Sequence, residues 1–309
     1  MRRPHRREEP MPMTTETFPT TRTVELSAGP VDYRDTGGTG PAVVLLHGLL
    51  MDGTLWDDVA ARLRDGHRVL VPTLPMGAHT RPARAGADLS PGGLARLVGE
   101  FLDRLDLHDA TLVGNDTGGA LVQLLVAQAA EGAAGAAAAM ERVGAVVLAS
   151  CDAYDNFPPG LTGRTVVLAG NLPPALFGLF MQQMRLRPMR RLPVAFGQLT
   201  KRGDAATARW TRALLADAGV RRDAIRVLRG IAADRHALER AAAALPGLDR
   251  PALVVWAEGD RVMPPEHGRR LAAEIPRARL VVVPDSRTLL PLDQPGPLAD
   301  AVRELVRSR

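Results

Sequence analysis

The feature that most constrains the fold of this chain is an alternation of short apolar runs with amphipathic helical patterns. Each apolar run is bounded by turn residues, which is typical of buried parallel strands. The runs occupy residues 42–46, 68–71, 110–113, 145–149, 252–256 and 280–283. Helical patterns lie between most of them, at 55–63, 90–105, 118–130 and 265–275. This alternation predicts an α/β fold with a mostly parallel sheet covered by helices on both faces.

The order of these patterns divides the chain into three parts. Residues 1–22 predict a disordered tail, and an alternating segment from 23 to 34 predicts an opening β-hairpin. Residues 23–152 and 249–309 form the predicted core domain. Residues 153–248 carry helical patterns without a strand, which predicts an inserted helical cap. Within the cap, Phe177, Phe180, Met181 and Met184 recur at helical spacing, a pattern that favours packing against the core over substrate contact.

Composition excludes several classes of function. With 309 residues, 46% hydrophobic and 24% charged, the chain has the composition of a globular enzyme. Its 39 Lys and Arg exceed its 34 Asp and Glu only slightly, and aromatic residues make up 4%. The arginines are scattered along helices and are not interleaved with aromatic side chains, so we expect no nucleic-acid partner.

The lengths of the apolar stretches and the cysteine content bear on localisation and on cofactors. No stretch approaches eighteen apolar residues, and the N-terminus lacks the apolar region of a secretion signal. We therefore expect a cytoplasmic protein without a membrane partner. The lone Cys151 cannot form an internal disulfide, and no cysteine cluster could hold zinc. We expect neither a metal nor another cofactor, and the sequence does not define an oligomeric state.

The chemistry is concentrated in residues 112–119, Leu-Val-Gly-Asn-Asp-Thr-Gly-Gly. An apolar strand meets small residues and then an apolar helix, which is the pattern of a nucleophile elbow with Asp116 where serine usually stands. Small neighbours permit the strained turn and the close helix behind it. The alternative is a glycine-rich turn in which Asp116 only caps the helix.

Further motifs give the elbow a family context. His47-Gly48-Leu49-Leu50 follows an apolar run and resembles the oxyanion loop of the α/β-hydrolase superfamily. The resemblance covers about residues 22 to 305. It implies that the backbone amides of Leu49 and Thr117 form an oxyanion hole, with His47 holding the loop and Asn115 in a supporting place. It also implies that Asp260, in Glu-Gly-Asp after a strand, is the catalytic acid.

The catalytic histidine of that family is missing. Residues 288–295, Thr-Leu-Leu-Pro-Leu-Asp-Gln-Pro, align with the family ending H-x-x-P-x-E-x-P and place Thr288 where the histidine belongs. No histidine follows His267. We consider His79, in a loop after the second core strand, as a replacement base, and we weigh His267 lower. Asp152 follows another strand, where some relatives keep their acid, or it caps the turn into the cap.

An Asp nucleophile resembles the haloalkane dehalogenases and epoxide hydrolases, in which a carboxylate forms an alkyl ester. Dehalogenases usually place Trp after the nucleophile and often Asn after His-Gly, whereas this chain has Thr117 and Leu49. Epoxide hydrolases use cap tyrosines, for which Tyr154 is the one candidate here. Halide release and epoxide opening are therefore both disfavoured.

Three functions stay open at the level of sequence. The first is a hydrolase that acts on a small, largely apolar substrate through Asp116 with an incomplete triad. The second is a non-hydrolytic enzyme of the same fold, using Asp116 as the base of an elimination, isomerisation or cyclisation. The third is a ligand-binding pseudoenzyme.

Overall fold

The computed structural model describes residues 21–309. The predicted disordered tail therefore lies outside the described residues, apart from residues 21 and 22. Arg22 already begins the first strand, so the expected end of the tail is corrected at this position.

Eight strands form one sheet in the order β1-β2-β4-β3-β5-β6-β7-β8. The hairpin β1–β2 is antiparallel and joins β4 antiparallel, and the pairings from β4 to β8 are parallel. The strands are β1 (Arg22–Leu26), β2 (Gly29–Asp35), β3 (Ala42–Leu46), β4 (Arg68–Pro72), β5 (Ala110–Asp116), β6 (Val143–Cys151), β7 (Ala252–Ala257) and β8 (Ala278–Val283). This arrangement confirms the predicted α/β fold with a mostly parallel sheet.

Helices of the core connect the parallel strands. They are α1 (Asp57–Leu63), α2 (Pro91–Arg104), α3 (Thr117–Ala130), α4 (Ala136–Glu141), α11 (Pro265–Glu274), α12 (Leu290–Asp293) and α13 (Pro295–Arg307). Local sequence explains where some of them begin. Ser90 caps α2, for example, because its hydroxyl oxygen accepts a hydrogen bond from the backbone N–H of Gly93 at 3.1 Å.

The chain between β6 and β7 is helical, and we call it the helical insertion. Its helices are α5 (Gly160–Ala169), α6 (Pro174–Gln182), α7 (Arg187–Arg190), α8 (Asp204–Ala216), α9 (Ala218–Ala233) and α10 (Ala237–Ala242). None of the described helices of the protein is long and apolar enough to cross a membrane.

The strand order positions the candidate site. β5 lies inside the sheet between β3 and β6, and residues 43–46, 110–116 and 145–151 are buried. The carboxyl ends of parallel strands meet at one edge of the sheet, where sites form in open α/β folds. Asp116 is the last residue of β5, and the segments after β3, β6, β7 and β8 carry Leu49, Asp152, Asp260 and Thr288.

Candidate active site

Asp116 stands on a strained turn at the end of β5. Its backbone angles are φ 56° and ψ −131°, and α3 begins at the next residue. A side chain other than that of glycine rarely adopts a positive φ, so the turn is held by its surroundings. The surroundings are close: a Cβ at Gly118 would clash with the carbonyl oxygen of Leu46, and one at Gly114 would clash with the backbone of Gly118. The glycines therefore let α3 pack directly behind the turn.

One oxygen of the Asp116 carboxyl is fixed by three donors. Oδ1 accepts hydrogen bonds from the backbone N–H of Thr117 at 2.8 Å, the backbone N–H of Leu49 at 3.2 Å and the Thr117 hydroxyl at 3.1 Å. The two amides expected to form the oxyanion hole therefore converge on this oxygen. Burial raises the pKa of Asp116, and these donors oppose that effect by stabilising the carboxylate.

Asp116 also lines a largely apolar cavity of about 160 Å³ beneath the helical insertion. Phe180, Met181 and Met184 contribute to its wall, contrary to the expectation that this stripe only packs against the core. Phe177 does not line the cavity and is fully buried, as expected for packing. Among the described lining residues, Asp116 is the only one with an ionisable side chain.

Asp260 and Thr288 form a second buried pair. The Thr288 hydroxyl donates to Asp260 Oδ1 at 2.8 Å, and the same oxygen accepts the backbone N–H groups of Val262 and Met263. Burial raises the pKa of Asp260 to about 6 despite these donors. Thr288 is fully buried and does not line the cavity. The residues predicted at the acid and histidine positions therefore meet, and neither lines the cavity, so neither could activate water there.

Asn115 supports the loops that carry these residues. Its amide Nδ2 donates to the carbonyl oxygens of Ala149 and Thr288, both at 2.7 Å. The side chain thus joins the ends of β5 and β6 to the loop after β8. A supporting role for Asn115 at the site stays a prediction, and these contacts are compatible with it.

Asp152 is a buried partner of the elbow that the sequence indicated only as an alternative acid position. Its Oδ2 lies 3.0 Å from the Thr117 hydroxyl, which also contacts Asp116. Thr117 has one hydroxyl proton and can donate to only one of the two carboxyls, so the other contact requires a protonated acid. Burial and the nearby Asp116 charge raise the pKa of Asp152 well above its ordinary value. This environment favours the neutral form of Asp152, and we infer that it donates to Thr117, which donates to Asp116.

His47 holds the loop that follows β3. Its Nε2 accepts the backbone N–H of Leu74 at 2.9 Å, which leaves Nδ1 to donate to the carbonyl oxygen of Gly48 at 2.9 Å. Burial lowers the pKa of His47 to about 4, so the ring is neutral. Both nitrogens are used, as expected for a structural histidine.

The histidines considered as replacement bases do not line the cavity. His79 accepts the Gly77 backbone N–H, and its Nε2 faces Asp223 of α9 at 3.4 Å. We consider His79 as a replacement for the missing catalytic base. Its placement argues against this role, because both ring nitrogens contact other residues outside the cavity. His267 lies against Asp155 and the ring of Tyr154. Tyr154 donates its hydroxyl to Glu274 at 2.8 Å, away from the cavity.

The described residues contain no group of three or more His, Cys, Asp or Glu side chains placed to hold a metal ion. Residues 41–295 match the model of a family described as having the alpha/beta hydrolase fold. The chain belongs to this α/β-hydrolase family.

Relatives of this α/β hydrolase extend over most of its length. Haloalkane dehalogenase 2 of Mycobacterium tuberculosis (strain ATCC 25618 / H37Rv) is 27% identical over 287 residues, covering 92% of this chain and 93% of the relative. A 2-hydroxy-6-oxononadienedioate/2-hydroxy-6-oxononatrienedioate hydrolase of Cupriavidus pinatubonensis is 27% identical over 271 residues, covering 84% and 86%. A crystal structure of a putative ancestral haloalkane dehalogenase has a TM-score of 0.72 at 22% identity, covering 93% and 98%. These relatives confirm the prediction of a hydrolase-family enzyme with a dehalogenase-like resemblance.

Proposed function

We propose that this hydrolase attacks a small, largely apolar substrate with Asp116 Oδ2 and forms a covalent alkyl ester. The observation that carries the proposal is the asymmetry of the carboxyl group. Oδ1 accepts three hydrogen bonds, whereas Oδ2 accepts none from the described residues, on a side chain that lines the cavity. A carboxylate needs no deprotonation before it attacks carbon. An Oδ2 lone pair forms the new C–O bond, and the leaving group departs with its bonding electrons.

The cavity supports the proposed substrate class. Its volume of about 160 Å³ is close to the roughly 150 Å³ of apolar cavities that bind benzene. Its walls are mainly methionine, leucine and phenylalanine side chains, so a charged substrate would lose its hydration without compensation. The substrate is therefore a small neutral molecule.

The site lacks the side chains that usually stabilise a departing halide in dehalogenases. Leu49 and Thr117 offer no side-chain N–H at the positions where dehalogenases usually bind halide. Gln183, Thr162 and Thr165 are the polar side chains of the helical insertion that line the cavity. We therefore propose poor stabilisation of halide, and the substrate panel described below includes other leaving groups.

Hydrolysis of the ester is the slow step. A positioned base accelerates the activation of water by roughly a hundred- to ten-thousand-fold. Thr288 cannot supply such a base, and Asp116 is consumed in the ester. The alkyl ester on Asp116 therefore accumulates, and turnover is slow.

Mass spectrometry of the intact protein tests this proposal. The protein is incubated with an alkyl bromide, an epoxide and an alkyl sulfonate, each with a small apolar group. We expect a mass increase that maps to a peptide containing Asp116 and is absent from the Asp116→Asn variant. An adduct or turnover that survives the substitution would remove Asp116 from the mechanism, and reversible binding without either would favour a ligand-binding protein.

A second candidate function is base catalysis by Asp116 without a covalent ester. It is favoured by the burial that raises the pKa of Asp116 and by the lack of another ionisable side chain among the described cavity residues. Such an enzyme would catalyse an elimination, isomerisation or cyclisation. A pH–rate profile distinguishes the two: base catalysis without an adduct should follow a group whose pKa is raised above the ordinary range of an aspartic acid.

A further inference from the structure

The helical insertion contains a segment with an unusual charge distribution. Residues 156–203 include seven Lys and Arg and no Asp or Glu, although the chain as a whole carries 34 acidic residues. The segment spans α5, α6 and α7 and the loops around them. Asp204 and Asp285, which lie outside the segment, pair with four of these seven side chains. The other three give the segment a local positive field that attracts anions.

The same segment holds most of the large apolar side chains that are exposed in residues 21–309. Eight large hydrophobic residues in the described chain are exposed, and seven of them lie between residues 161 and 194. They are Leu161, Leu168, Leu176, Leu179, Leu186, Leu192 and Val194. Leu168 is 71% exposed and Leu179 is 64% exposed. An apolar surface of this kind on a globular protein indicates an interaction site.

Two of these side chains lie at the wall of the cavity. Leu192 and Val194 are exposed and also line the cavity. The Thr162 hydroxyl of α5 donates to the carbonyl oxygen of Pro193 at 3.0 Å, and Phe180 of α6 lines the same cavity. We call the seven exposed apolar residues, together with Arg164, Arg185, Arg187 and Arg191, the basic apolar face.

The arginines of this face are available to an external partner. Arg164, Arg185 and Arg191 are exposed and form no ion pair with a carboxylate of the described residues. Arg187 approaches Asp204 at 3.4 Å but keeps 70% of its side chain exposed. Arginine also packs its aliphatic stem on apolar surface while its head reaches outward.

We propose that the basic apolar face binds the surface of an anionic lipid membrane. Exposed leucines enter the boundary between headgroups and acyl chains, and the surrounding arginines pair with anionic headgroups. A second copy of this chain is a poorer partner, because a two-fold contact would place each arginine cluster against its own copy. This peripheral contact does not require a spanning helix. It departs from the expectation of no membrane partner, which rested on the lack of an apolar span and of a signal sequence.

Sedimentation with vesicles tests the proposal and does not depend on catalysis. The full chain is mixed with phosphatidylcholine vesicles that contain or lack phosphatidylglycerol, at low and high salt. We expect binding only to the anionic vesicles, weakened by salt because screening shortens the reach of the charges. The Arg164→Gln/Arg185→Gln/Arg191→Gln and Leu168→Ser/Leu179→Ser variants should each bind at least about tenfold more weakly.

A control changes an exposed arginine and an exposed aliphatic residue elsewhere. Arg104 and Val282 lie on the protein surface outside the helical insertion. The Arg104→Gln/Val282→Ser variant should therefore bind vesicles like the unchanged protein. Failure to bind anionic vesicles would overturn the proposal. Binding that both face variants retain would also overturn it, and would direct attention to the arginines of residues 1–20. A dimer that the leucine variant abolishes, without vesicle binding, would assign the face to a second copy instead.

Discussion

At position 152 the surroundings of a carboxyl group fix its protonation state. Asp152 is fully buried, it contacts the Thr117 hydroxyl, and its Oδ1 has no hydrogen-bond partner among the described residues. A buried carboxylate with so few donors would be costly, whereas a neutral acid at this position can donate to Thr117. Asp152 is thus better described as a neutral donor than as the catalytic acid of a triad.

The Asp152→Asn variant tests this description. The amide keeps the shape of a protonated acid and one N–H for Thr117, while its second N–H is left without a partner, so we expect the free energy of unfolding at pH 7 to fall by no more than about 1 kcal/mol. Asp152→Ala removes the donor and leaves a gap, and should cost about 1–3 kcal/mol. Urea denaturation measures both. A loss of about 2 kcal/mol or more in the Asn variant would indicate an ionised Asp152, whose charge-assisted hydrogen bond the amide cannot replace.

Position 288 provides a test of the missing histidine. The Thr288 hydroxyl lies 2.8 Å from Asp260 Oδ1, so an imidazole at this position would have a carboxyl group within reach to orient it. We expect the Thr288→His variant to shorten the lifetime of the Asp116 ester at least tenfold, because the ring can activate water. The larger side chain should also lower the melting temperature, since position 288 is fully buried.

The control for this variant is Thr288→Val, which removes the hydroxyl without adding a base. Its ester should persist as long as in the unchanged protein. Time-resolved mass spectrometry after removal of the alkylating substrate follows the ester in all three proteins. Equal lifetimes in the His and Val variants would show that the missing imidazole is not what limits hydrolysis.

At the scale of secondary-structure elements, β5 and α3 can meet closely only because glycines at their junction carry no side chain. A Cβ at Gly118 would meet the backbone carbonyl of Leu46 at the end of β3, and backbone atoms of a central strand cannot move aside easily. We expect Gly118→Ala to destabilise the fold by about 2 kcal/mol or more and to prevent formation of the Asp116 adduct. Gly66→Ala, where a Cβ meets nothing within 4 Å, should stay within about 0.5 kcal/mol. Equal effects of the two substitutions on urea unfolding would show that the close packing behind Asp116 is not required.

Elements whose signals are local were predictable from the sequence. The parallel strands, the start of α2 at Ser90 and the turn at Asp116 each depend on neighbouring residues. Contacts between distant segments were not predictable. His79 faces Asp223, which lies 144 positions along the chain, and the lining of the cavity depends on how the helical insertion packs over the sheet. Hydrophobic periodicity gives no information on contacts between residues far apart in the sequence. The hydrogen-bond partners and the burial of each candidate base could therefore not be predicted.

On the scale of the whole molecule, burial opposes the ionisation of three carboxyls at one edge of the sheet. Burial raises the pKa of Asp116, Asp152 and Asp260, whereas hydrogen bonds and arginines near the surface lower the pKa of others, such as Asp35. A raised pKa in the folded state stabilises the fold fully below the unfolded pKa, and this contribution is lost as the pH rises through the folded value. Carboxyls whose pKa is lowered in the folded state contribute stability above their unfolded pKa. This contribution is lost only as the pH falls through their folded-state pKa. Between about pH 4 and pH 7 the carboxyls with a raised pKa lose stability as the pH rises, whereas buried His47, with its pKa lowered to about 4, gains stability over the same range. A variant of one group, compared with the unchanged protein, therefore isolates its contribution.

Asp260 allows this balance to be measured, because its pKa is raised from 3.8 to about 6. The shift corresponds to about 3 kcal/mol, of which about 2 kcal/mol is lost between about pH 4 and pH 7. The Asp260→Asn variant cannot ionise, so its free energy of unfolding should rise relative to that of the unchanged protein by about 2 kcal/mol over this range. Asp285→Asn is the control, because Lys201 and Arg202 lower the pKa of exposed Asp285 and its titration lies at lower pH. If the Asp260→Asn difference stays constant from about pH 4 to pH 7, Asp260 titrates normally and its burial beside Thr288 does not disfavour its charge.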